Sequence, residues 1–312
     1  MEIILEIIVP VFGIVGIGYA AARVGWFRQD ATKGLSAFVF DFAIPAMLFR
    51  TMAKTALPAQ IEWGYLISYF GGGYGAWVVG TMVSLWVFRR SGAEPAIAGM
   101  TGGFSNTVML GVPLALTAFG EAATLPVFLI IACHSWQLLS VATIQAEAGI
   151  GAREGMRQLP MNVIKGLVGN PIILALLAGI LFNLSGLPLP RLLDTLTETL
   201  GKAALPCAVF AMGASLAGYR IAGSLGEASV GVVLKLLLHP VLVWLLATHV
   251  FAVEPLWRNV AVLLASLPVG VNVYLLAQRY QAGVAPAVTA VLISTGVSVL
   301  TVAGVLSLLD VR

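Results

Sequence analysis

The sequence predicts an all-α polytopic membrane protein whose ten transmembrane helices form two inverted five-helix repeats. Composition is the first observation behind that expectation. Of 312 residues, 59% are hydrophobic and only 10% are charged, whereas soluble domains run near 25% charged; the mean hydropathy is +0.98. A chain of this size in water still needs a polar exterior, so soluble enzymes, nucleic-acid-binding domains and disordered chains are excluded as classes, and the lipid bilayer becomes the expected surroundings. The second observation is a series of runs free of Asp, Glu, Lys and Arg: 7–22, 63–88, 95–120, 122–146, 166–190, 203–219, 236–253, 259–278 and 280–309, with a tenth, 34–49, interrupted only by Asp41. Crossing a bilayer takes about 20 apolar residues, and the runs with their flanks are long enough. None shows the strict alternation of a membrane barrel strand.

The third observation is an internal match at an offset of 161 residues. It pairs Pro10 with Pro171, Gly18 with Gly179, Gly25 with Gly186 and Pro45 with Pro206. Prolines and glycines fix backbone geometry, so their shared register is informative. The expected organisation is a first repeat over 1–146, a basic cytoplasmic linker over 147–165 and a second repeat over 166–312. An odd number of spans per half places the halves upside down relative to each other. With the N-terminus outside, ten basic residues fall in inner loops and five in outer loops, so the positive-inside rule puts both termini outside the cytoplasmic membrane. The start MEIILEIIVP has two acidic residues and no basic region, so the first run reads as a retained helix rather than a signal peptide. Cys133 and Cys207 lie inside apolar runs and read as small core residues, not a disulfide.

Inverted repeats characterise secondary transporters, which bind near the midplane where helices are broken. The fourth span carries Asn106, Gly111 and Pro113 at its middle, and the ninth carries Pro268, Gly270 and Asn272. Proline removes a backbone donor, and the freed carbonyls need protein or water partners in lipid. The asparagines supply polar groups at those points, so these six residues form the candidate substrate site. Pro10, Pro126, Pro171 and Pro240 read as simple kinks.

These segments carry a resemblance. SNTVMLGVP at 105–113, NPIILALLAGILFNLSGLPLP at 170–190, GKAALPCAVFAMGASLAGY at 201–219 and LLASLPVGVNVYLLAQRY at 263–280 resemble the auxin efflux carrier family, which includes the plant PIN-FORMED proteins and many bacterial permeases. The resemblance implies a fold shared with sodium–bile acid symporters. In it, spans 1, 2, 6 and 7 form a scaffold able to dimerise, and spans 3–5 and 8–10 form a transport domain that slides like an elevator. Val108 stands where the family often has glycine, and the central loop is far shorter than that of the plant carriers.

Both crossover runs lack a carboxylate. Helix N-termini attract anions and asparagine can donate to a carboxylate, so the expected substrate is a small organic anion. Asp41 and Lys202 occupy equivalent positions of the repeat; they either pair, line the substrate path, or snorkel from helix ends. Lys235, near the start of its run, is expected to snorkel. His134 either meets the substrate path or is a hydrogen-bonded structural histidine, with Gln137 one turn on. His239 and His249 show no metal-ligand spacing, so neither metal nor cofactor is expected. GGGYG at 71–75 reads as close helix packing. A membrane enzyme would need a dense polar constellation such as HExxH, and the sequence has none.

Overall fold

A computed structural model describes residues 7–54, 62–151, 160–161, 164, 168–220 and 225–309. Among them the protein is helical throughout, with twelve helices: α1 Val9–Arg23, α2 Gln29–Lys54, α3 Trp63–Trp86, α4 Glu94–Gly103, α5 Thr107–Phe119, α6 Thr124–Ile150, α7 Pro171–Leu184, α8 Arg191–Leu216, α9 Leu225–Val250, α10 Pro255–Ala265, α11 Asn272–Tyr280 and α12 Val284–Leu308. Five of them, α2, α6, α8, α9 and α12, are long and apolar enough to cross a membrane. The runs 95–120 and 259–278 each become two helices, α4–α5 and α10–α11.

Two boundaries differ from the sequence-based expectation. α6 continues to Ile150, so the expected linker over 147–165 begins as helix; residues 152–159, 162–163 and 165–167 lie outside the described residues. α9 begins at Leu225 rather than at 236, because its first turns tolerate Glu227 at the rim. There Glu227 pairs with Arg90 at 2.6 Å.

Packing follows the small residues. α1 lies along α8, and α2 lies along both α7 and α8; α3, α4, α6 and α9–α12 pack mainly among themselves. Gly18 of α1 sits directly on the backbone of Phe210 in α8, and Gly179 of α7 sits on the backbone of Phe49 in α2. Adding 161 to 18 gives 179, and adding 161 to 49 gives 210, so one pair of positions meets twice with the halves exchanged. Gly25 and Gly186 follow the C-terminal ends of α1 and α7 with φ of +83° and +68°, a conformation that L side chains avoid. In the GGGYG segment, Gly72 lies against Val243 and Gly73 against Gly103, as close packing requires.

Among the described residues four complete π-turns interrupt the helices, at Val39–Ala43, Thr107–Gly111, Leu234–Leu238 and Leu246–Val250. Three of them end two residues before a proline: Pro45, Pro113 and Pro240. A proline ring clashes with the carbonyl four residues back and offers no N–H, and a wider turn relieves that clash without ending the helix. Cys133 and Cys207 are free thiols.

The glycine contacts are testable. Val at Gly18 or at Gly179 collides with backbone, and overpacking of this kind costs about 1–3 kcal/mol. Gly18→Val and Gly179→Val should lower the melting temperature of the detergent-solubilised protein by similar amounts. Gly16→Val, which enters open space, should change it little. A loss at only one of the two paired sites would show that the contacts are not equivalent.

Candidate functional site

α4 ends at Gly103 and α5 starts at Thr107; α10 ends at Ala265 and α11 starts at Asn272. The two interruptions lie against each other. Gly270 N–H donates to the Phe104 carbonyl at 3.0 Å, and Asn106 N–H donates to the Pro268 carbonyl at 3.0 Å. These bonds flank an antiparallel bridge between Ser105 and Val269. Each helix end leaves backbone groups without intrahelical partners, and here three other helices meet part of that need. Val269 N–H donates to Ser294 Oγ of α12 at 3.0 Å. His134 Nε2 of α6 lies 3.1 Å from the Ser105 carbonyl. Lys235 Nζ of α9 donates to the carbonyl of Ala265, the last residue of α10.

The predicted residues distribute unevenly over this crossing. Pro268 and Gly270 lie within the second interruption, and a Cβ on Gly270 would come 2.6 Å from the Phe104 ring. Asn106 closes the first interruption and Asn272 opens α11. Gly111 and Pro113, expected at the break of the fourth span, lie inside α5 instead. The chain breaks earlier, at Phe104–Asn106, and the π-turn before Pro113 lets the helix continue through it. Gly111 lets α5 approach α10, since a Cβ there would meet Leu264 and Leu267 at 2.8 Å.

His134 is 1% exposed and uses both ring nitrogens. A carbonyl only accepts, so Nε2 carries the proton toward Ser105, and Nδ1 accepts from the Tyr69 hydroxyl at 3.3 Å. It therefore braces the interruption rather than facing an open space. Gln137 is partly buried one turn on, and its Oε1 has no hydrogen-bond partner among the described residues. Asp41 is exposed within the π-turn of α2. Lys202 pairs with Glu198 at 2.8 Å, and no ion pair joins it to Asp41 among the described residues. Glu198 also belongs to a cluster in which Arg50 and Lys54 hold Asp194, each at 2.6 Å.

Lys235 overturns the snorkelling expectation. It is 0% exposed and ten residues inside α9, about 15 Å along the helix axis. Its amino group faces the negative end of α10. A helix dipole contributes up to about 2 kcal/mol to such a cation, less than the several kcal/mol that removing an ion from water costs.

Beside the crossing lies a cavity of ≈ 490 Å³. Asn106, Thr107, Ser135, Asn170, Gly270 and Asn272 line it, and no charged residue or histidine does. Three helices begin at its wall: α5 at Thr107, α7 at Pro171 and α11 at Asn272. Their leading amides already have acceptors: Thr107 N–H donates to the Ser105 carbonyl, Ile172 N–H to Asn170 Oδ1 and Val273 N–H to the Gly270 carbonyl; what the three starts add is dipole, roughly half a positive charge each. The side-chain amide of Asn106 donates to the Met212 thioether at 3.5 Å, a weak acceptor that an oxyanion would outcompete. Sequence reasoning missed Ser135, Asn170 and Ser294, which carry no local signature. A second cavity of ≈ 720 Å³ lies between the C-terminal ends of α1 and α8 and the N-terminal end of α2, with Lys33, Tyr219 and Tyr274 in its wall.

Comparison with known proteins gives this geometry a context. The profile of a family described as membrane transport protein matches residues 3–306; this is the family of the auxin efflux carriers. A protein of Rhizobium meliloti (strain 1021) named "Putative malonate transporter" is 32% identical over 309 residues, covering 99% of this chain and 97% of that one. An "uncharacterized transporter" of Methanothermobacter thermautotrophicus is 26% identical, covering 84% of each chain. The "lysosomal cholesterol signaling protein" of Mus musculus is 27% identical over 66% of this chain and 25% of its own length.

Removing a brace should destabilise the crossing. Ser294→Ala leaves the Val269 amide unpaired, and His134→Ala does the same to one acceptor of Ser105; each costs about 1–3 kcal/mol. Thermal unfolding should show lower melting temperatures for both, and no change for Ser307→Ala, an exposed hydroxyl bonded only within its own helix.

Proposed function

The chain belongs to the membrane transport protein family, and on the geometry of its crossover we propose that it moves a small organic anion, an auxin-like or other carboxylate, across the cytoplasmic membrane. One observation carries this reading: a cavity without formal charge into whose wall three helix N-termini run, with the side chains of Asn106 and Asn272 beside them. Such a site favours a carboxylate through the asparagine side-chain amides and helix dipoles and offers a cation no anionic ligand.

The proposed architecture is ten crossings in two inverted repeats. The exchanged contacts of Gly18 with Phe210 and Gly179 with Phe49 support it. So does the facing of the two interruptions, which belong to the fourth and ninth crossings. α1, α2, α7 and α8 act as a scaffold, also the surface for a homodimer, and the remaining helices move against it in an elevator cycle. The close packing of α1 with α8 and of α2 with α7 and α8 supports that division, with α5 lying between the groups against both α8 and α10. With both termini outside, the cavity lies toward the cytoplasmic end, where α7 begins.

For a monoanion leaving a cell at about −100 mV, the potential contributes roughly 2.3 kcal/mol, about a fifty-fold gradient, so export needs no coupling ion. A second reading draws on the relative named for malonate: proton- or sodium-coupled symport of a dicarboxylate such as malonate or malate.

Currents evoked by rapid addition of substrate to proteoliposomes test the proposal. In sodium-free buffer at equal pH, indole-3-acetate, malonate or malate should evoke a current. Asn106→Ala and Asn272→Ala should lower the apparent affinity about 10- to 100-fold, since a hydrogen bond to a charged group contributes roughly 1.5–3 kcal/mol. A current that appears only with sodium or a pH gradient would replace uniport by coupled symport. Full activity in both asparagine variants would place the site elsewhere.

A further inference from the structure

We propose that Lys235 carries a proton in step with the substrate anion, taking it up when the anion occupies the crossover cavity and releasing it when the anion leaves. The inference rests on the anion reading above and takes its coupled-symport form: with one proton per anion a monoanion moves without net charge and a dianion carries one negative charge, so this step replaces uniport.

Lys235 is fully buried, and among the described residues it forms no ion pair. Its hydrogen bond goes to a backbone carbonyl at the end of α10, three residues before Pro268, which accepts from Asn106. The titratable groups around it are neutral or cationic by type. His239 follows one turn later on α9, buried and with neither ring nitrogen hydrogen-bonded among the described residues. Its ring lies 5.5 Å from that of Tyr69 on α3, which in turn bonds His134 of α6. α12 brings no titratable side chain over Val284–Leu308. The nearest carboxylates on α4 and α9 are Glu94 and Glu227, both held by Arg90 at the rim.

A buried ammonium without a counter-ion is unfavourable, whereas a neutral amine keeps the same N–H bond to Ala265. The missing counter-charge is what an anion would supply from across the interruption between α10 and α11. In the proposed step the amine lone pair accepts a proton from water, giving an ammonium. When the anion departs, that N–H bond breaks and the proton returns to water. A small cavity of ≈ 40 Å³ runs beside Glu94, Glu227, Thr101, Gly231 and Leu234. It has room for water and leads from the rim to the turn that carries Lys235. Linkage is reciprocal, so the proton strengthens anion binding by the factor with which the anion strengthens proton binding.

Calorimetric titration of the purified full chain with malonate, malate and indole-3-acetate, in two buffers of different ionisation enthalpy, counts the protons. Wild type should take up about one proton per anion bound, and its Kd should rise by up to about tenfold per pH unit where the free amine is neutral. Lys235→Arg stays charged; it should bind without proton uptake and with a flat pH profile. Lys235→Met should bind weakly and take up no proton. Anion binding by wild type without proton uptake would overturn the proposal and leave the anion site standing. Undiminished proton uptake in Lys235→Arg or Lys235→Met would overturn the assignment to this residue. If wild type bound none of the three anions, the anion reading and this inference would fall together.

Discussion

A backbone amide or carbonyl that cannot reach water must find a partner inside the protein, and that constraint organises the centre of this molecule. Two helices stop short, and their loose ends are paired with each other through Phe104, Asn106, Pro268 and Gly270. What remains is reached by Ser294, His134 and Lys235 from three further helices. The arrangement fixes which helices must stay together: α6, α9 and α12 cannot leave the crossing without stripping it of partners. The tight glycine contacts of α1 with α8 and α2 with α7 tie the other helices to one another instead.

Charge keeps clear of the crossover cavity. The densest ion-pair cluster, Arg50, Lys54, Asp194, Glu198 and Lys202, joins α2 to α8. The cavity beside the crossing has no charged side chain in its wall. Its polarity comes from asparagine, serine, threonine and helix starts, groups whose direction is set by backbone geometry rather than by flexible side chains.

Much of this was legible in the sequence where backbone-fixing residues mark position. Charge-free runs located the helical segments, and the proline and glycine register at 161 residues singled out Gly18 and Gly179, whose tight contacts with Phe210 and Phe49 the sequence did not show. Three things were not legible. The break in the fourth span precedes Gly111 and Pro113, because a π-turn absorbs the proline and only three-dimensional pairing with Val269 shows where the chain opens. Lys235 was misread because a charge-free window begins after it, although Glu227 at the rim lets the helix start at Leu225. Ser294 and His134 brace the interruptions from 25 and 29 residues away, a distance over which local pattern carries no information.

The π-turns have a consequence for the phase of each helix. A π-turn inserts one residue, and one residue is about 100° of rotation in a 3.6-residue helix. Residues before Leu234–Leu238 and after it therefore point in directions that an uninterrupted helix would not bring together. Lys235 and His239 sit at that phase jump, with Pro240 just beyond. The proline thus acts as a clock-setter for α9: by making the ordinary turn costly, it holds the extra residue in place and with it the azimuth of every side chain upstream. A chain lacking both the proline and one residue of that turn would keep the length of its helix and turn a different face to the crossing.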